Sequence, residues 1–63
     1  MSITRAEKEL DDLYDYVMHD AHDKKSAENT LRLMNSIMKD NNLFSAYSYK
    51  IEYLQICIEE KFK

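Results

Sequence analysis

The chain contains neither glycine nor proline, and this double absence restricts what it can fold into more than any other feature. Hairpin turns, phosphate-cradling loops and left-handed helix stops lose the residues that usually make them. What remains is helix, punctuated only by Asn, Asp and Ser. A chain of 63 residues holds one domain at most, because it cannot divide its apolar side chains between two cores. Domains of this size bury only about 60% of the surface their unfolded chains expose, so burial barely offsets chain entropy. Small proteins close that gap with disulfides, metals, oligomerisation or close helix packing. Cys57 is the sole cysteine, which excludes an intrachain disulfide and suits a packed core or interface thiol in a reducing cytosol.

A composition of 44% hydrophobic and 33% charged residues fits amphipathic helices and is too apolar for a disordered tail. The formal net charge of −3 provides no general attraction to nucleic acid or anionic lipid. Residues 1–7 lack the apolar core of a signal peptide, and no stretch approaches the ~20 apolar residues that span a bilayer. A cytoplasmic protein without membrane association is therefore expected. Lysine outnumbers arginine seven to two and Asn, Ile and Tyr are frequent, a bias that fits an AT-rich genome such as that of a phage.

Three helices are predicted, over residues 4–23, 26–40 and 43–62, packed as an all-α three-helix bundle of a hairpin and a long C-terminal helix. Thr4 and Glu7 have the spacing of a capping box. Ile3, Ala6, Leu10, Leu13 and Val17 then follow at intervals of three and four, with Tyr14 and Ala21 widening the stripe. Ser26 is the expected N-cap of the second helix, with Asp23 as the alternative. Ala27, Leu31, Met34 and Met38 form its inward stripe, with Thr30, Leu33 and Ile37 alongside. Asp40-Asn41-Asn42 should end it, since Asn is the best substitute for glycine in left-handed backbone. In the third segment Leu43, Tyr47, Ile51, Leu54, Ile58 and Phe62 make one apolar ridge, and Ala46, Tyr49, Tyr53, Ile56 and Cys57 make a second. Together they cover an arc of roughly 240°, more than two short helices can hide. Residues 47–53 also alternate with the period of a strand, but no partner strand or turn accompanies them, and helix is the expectation.

Four patterns invite a functional reading. Asp15, His19, His22 and Asp23 have helical spacings compatible with a metal, but they also fit a solvated helix end, and no metal or other cofactor is assigned. Asp12, Asp15 and Asp23, with Glu9 and Asp20, give the first helix an acidic outer surface, the ordinary character of a solvated face. Lys25, Arg32 and Lys39 recur every seven residues with Asn29 and Ser36 between them, a stripe able to meet phosphates; it carries no aromatic of its own. Five tyrosines bring large area with a polar tip, a combination enriched at interfaces. There is no nucleophile–base arrangement and no glycine-rich phosphate loop, so no enzyme is expected.

The primary expectation is a non-enzymatic helical protein that binds another protein through Ala46, Tyr49, Tyr53, Ile56 and Cys57, as a regulator or inhibitor encoded by a phage or other mobile element. Self-association as a homodimer would cover the same ridge. The alternative is a nucleic-acid-binding helical dimer using Lys25, Asn29, Arg32, Ser36 and Lys39. In length and helical class alone the chain resembles the plasmid copy-control Rop proteins, helical hairpins that form RNA-binding four-helix dimers, and that resemblance implies the second reading. A homo-oligomeric assembly subunit is the third.

Overall fold

The computed structural model describes residues 4–63. Helix α1 spans Arg5–Asp15 and runs on into one π-helical turn over Tyr16–Asp20; α2 spans Lys24–Asp40 and α3 spans Phe44–Lys61. The three pack as a small three-helix bundle. No strand occurs among the described residues, and the alternating segment 47–53 is helical. Ile3, read above as the start of the first apolar stripe, lies outside the described residues.

The capping box forms as its spacing requires. The Glu7 amide donates to Thr4 Oγ1 at 3.2 Å, and the Thr4 amide and hydroxyl donate to Glu7 Oε1 at 3.3 and 2.9 Å. The far end of this helix departs from the prediction, closing at Asp20 rather than at residue 23. There the Ala21 amide donates to the Tyr16 carbonyl at 2.9 Å, a bond that spans five residues, and Ala21 itself turns to extended backbone. The widened turn leaves Ala21 in the core at 3% exposure, and Lys61 Nζ reaches its carbonyl at 3.3 Å from the end of α3. A part-buried carbonyl beyond the helix is thus satisfied by the last turn of another element.

Helix α2 starts two residues before the predicted position, with Asp23 at the N-cap in place of Ser26. Asp23 makes no side-chain cap bond; Ser26 lies inside the first turn, where its carbonyl accepts from Thr30 Oγ1 at 2.9 Å. At the other end the expected role of asparagine is met. Asn42 has a φ of 54°, the Leu43 amide donates to Met38 O at 2.9 Å, and the Asn42 amide donates to Lys39 O at 3.3 Å. Those two bonds make a Schellman stop with asparagine where glycine usually stands. Asn41 Nδ2 adds a bond to Ile37 O at 2.8 Å.

The core draws on every helix. Leu10 and Val17 come from the first, Ala27, Leu31, Met34 and Met38 from the second, and Tyr47, Ile51, Leu54 and Ile58 from the third. Leu43 and Phe62 close the ridge of α3 as half-buried ends. One polar tie crosses the bundle: the Tyr47 hydroxyl donates to Asp11 Oδ1 at 3.0 Å and lies 3.4 Å from Glu7 O. Burial, the bond to Asp11 and the adjacent negative charge push the Tyr47 pKa up to about 12. Lys50 Nζ lies 5.0 Å from the centre of the same ring.

Two outcomes follow from these contacts. Replacing Asn42 by valine should lower the stability measured by urea unfolding by about 1–2 kcal/mol, whereas glycine should preserve or raise it, because only valine meets a steric penalty at positive φ. Tyr47→Phe should cost about 1–2 kcal/mol at neutral pH. Since the folded pKa lies above the ordinary value of 10.0, the protonated phenol's contribution is intact below pH 10 and is lost as pH rises towards 12. Wild type should therefore lose more stability across that window than Tyr47→Phe.

Candidate functional site

Helix α3 turns its two ridges in opposite directions. Tyr47, Ile51, Leu54 and Ile58 face the bundle, at 5% exposure or less, while Tyr49, Tyr53 and Ile56 are 62, 51 and 60% exposed. With exposed Ala46 they recur at intervals of three, four and three, so they lie along one nearly straight line on the helix. Large apolar side chains lined up in this way make a patch rather than scattered surface residues. Of the five residues expected on this face, Cys57 departs. It is half-buried and lines a small cleft of about 120 Å³ with Val17, Met18, Ile58 and Lys61. Its place on the helix points it at the seam with the π-helical turn, away from the open face.

Tyr53 connects the exposed line to that seam. Its pKa is raised, first by hydrogen bonding to the Cys57 side chain one turn on, then by the charges of Cys57 and Tyr14.

Lys25, Asn29, Arg32, Ser36 and Lys39 are all exposed on α2. Among the described residues the one ion pair is Lys63 with Glu60, at 3.8 Å, so none of the three stripe cations is paired. The structure adds a residue that the sequence reading missed. Phe44, 44% exposed at the start of α3, shares a cleft with Arg32, Asn35, Ser36 and Lys39. The stripe thus has an aromatic neighbour after all, supplied by the next helix. The Asn41-Asn42 stop is the signal that leads to it, because a tight reversal after α2 sets the first residue of α3 beside the last turns of α2. The stripe is not purely basic: Glu28 and Glu59 line a second cleft that also contains Arg32.

Asp15, His19, His22 and Asp23 are not gathered into a ligand set. Among the described residues no group of three or more His, Cys, Asp or Glu side chains is placed to hold a metal ion. The π-helical turn and the early end at Asp20 remove the regular helical spacing that first suggested one. No helix among the described residues is long and apolar enough to cross a membrane. Comparison of the chain with models of protein families, with curated proteins and with solved structures finds no match.

Proposed function

We propose that this chain is a non-enzymatic helical protein that regulates or inhibits another protein by docking the outer face of α3 on it. The observation that supports this reading is the line of Tyr49, Tyr53 and Ile56, each more than half exposed. Tyrosine suits such a role because it offers large apolar area with few rotatable bonds and keeps its hydroxyl wet. The same face would pair two copies when no other partner is present, and so add the burial that one small core lacks.

Tyr49→Lys combined with Tyr53→Lys tests the reading. Both side chains project from the bundle, so helicity by circular dichroism should stay close to wild type. The double variant should sediment as a monomer where wild type dimerises, and should lose the protein that tagged wild type retains in its host. A wild-type monomer whose retained proteins are unchanged by the double substitution would dispose of it.

A second reading, nucleic-acid binding, is favoured by one specific observation: unpaired Arg32 and Lys39 share a cleft with exposed Phe44. Cations that follow a backbone beside an aromatic platform are the elements of single-strand binding. If this reading holds, oligonucleotide affinity should fall steeply with salt. Replacing Lys25, Arg32 and Lys39 by glutamine should then reduce the slope of log K against log salt by roughly 2, the loss of three single-strand phosphate contacts. Affinity insensitive to both salt and these substitutions would eliminate the stripe.

A further inference from the structure

A second apolar surface lies between α1 and α2, away from α3. Leu13, Leu33 and Ile37 line an open cleft of about 390 Å³ there, together with Glu9 and Asp12. Leu33 is 51% exposed and stands with half-buried Leu13 and Ile37 in one contiguous apolar surface. Leu33 and Ile37 are one turn apart on α2, as are Glu9 and Leu13 on α1, so the cleft is a groove running along both helices. It has the shape that a further helix fills when three helices become four.

Its charge narrows the occupant. Two carboxylates and no cation line the groove, and neither carboxylate has an ion-pair partner among the described residues. Both belong to α1. The free face of α3 is the segment that a second copy would bring, and it carries Lys50, Glu52 and the Glu60–Lys63 ion pair beside its apolar line, so it brings no net positive charge. That docking would leave the two groove carboxylates without a net countercharge. A foreign helix with lysine or arginine beside its apolar anchors would match the groove.

We infer that the α1/α2 groove is a docking site for a basic amphipathic helix of another protein. Apolar anchors one turn apart on that helix enter between Leu13, Leu33 and Ile37, and cations on the flank facing α1 meet Glu9 and Asp12. This mode lays an apolar helical face in a groove and uses rim charge for selection. It is independent of the outer face of α3, so either surface can fail without the other.

The test uses two synthetic helical peptides with one shared leucine seam, one flanked by lysines and the other by glutamates, titrated into the full chain by fluorescence anisotropy and by two-dimensional NMR. The lysine peptide should bind at least about tenfold more tightly, weaken with added salt, and shift the methyl signals of Leu13, Leu33 and Ile37. Leu33→Asn should reduce that binding while leaving the helical spectrum unchanged, and Glu9→Lys with Asp12→Lys should reverse the preference towards the glutamate peptide. Absence of binding, equal binding of both peptides, or shifts confined to Tyr49, Tyr53 and Ile56 would overturn the inference.

Discussion

Leu10, Met34 and Leu54, one from each helix, are the largest side chains without any exposure, and all belong to the same apolar cluster. The fold depends on that meeting. A bundle of this size buries little surface, so no helix retains its shape through propensity alone; each is held by the stripe it contributes. The single methionine among the three is suited to the position, because its unbranched thioether adapts to the gap between two leucines on other helices. Every other contact, including the tie from Tyr47 to Asp11, works on a framework that this cluster sets.

The inward stripes were legible because helical spacing survives in each segment. Ala27, Leu31, Met34 and Met38 are the buried residues of α2, and Tyr47, Ile51, Leu54 and Ile58 those of α3, in the spacings that the sequence carries. The stop at Asn42 was legible for a different reason, since steric exclusion leaves few residue types able to take positive φ. Neither argument needs tertiary information. The end of α1 was not readable in this way: a bond from Ala21 to Tyr16 and a lysine arriving from α3 fix that turn, and the second depends on packing across the bundle. Between the two N-cap candidates of α2 the structure takes Asp23, the alternative, over Ser26.

The candidate surfaces divide along the same line. That α3 has two apolar faces follows from its own sequence, and its free face carries Tyr49, Tyr53 and Ile56 as expected. Which side of that face Cys57 takes does not, since the answer rests on where Val17 and Met18 lie. Phe44 beside Arg32 and Leu33 beside Leu13 are likewise juxtapositions between helices. A periodicity argument assigns Leu33 to the edge of the inward stripe; only the position of α1 determines that this edge remains open.

The two apolar surfaces also constrain each other. The free face of α3 points away from α1 and α2, while the groove between those helices contains no α3 residue. A ridge and a groove on opposite sides of one molecule form the geometry of a head-to-tail contact, which grows into an open filament unless rotation closes it. The charges do not favour that outcome here. The ridge offers Glu9 and Asp12 no net countercharge, since Lys50 is offset by Glu52 and Lys63 is paired with Glu60, and an uncompensated acidic groove disfavours the wrong partner at low cost to the folded chain. A net charge of −3 adds a general repulsion between copies. An acidic groove that finds no net countercharge on the chain's own ridge is the feature that would select a basic helix from elsewhere.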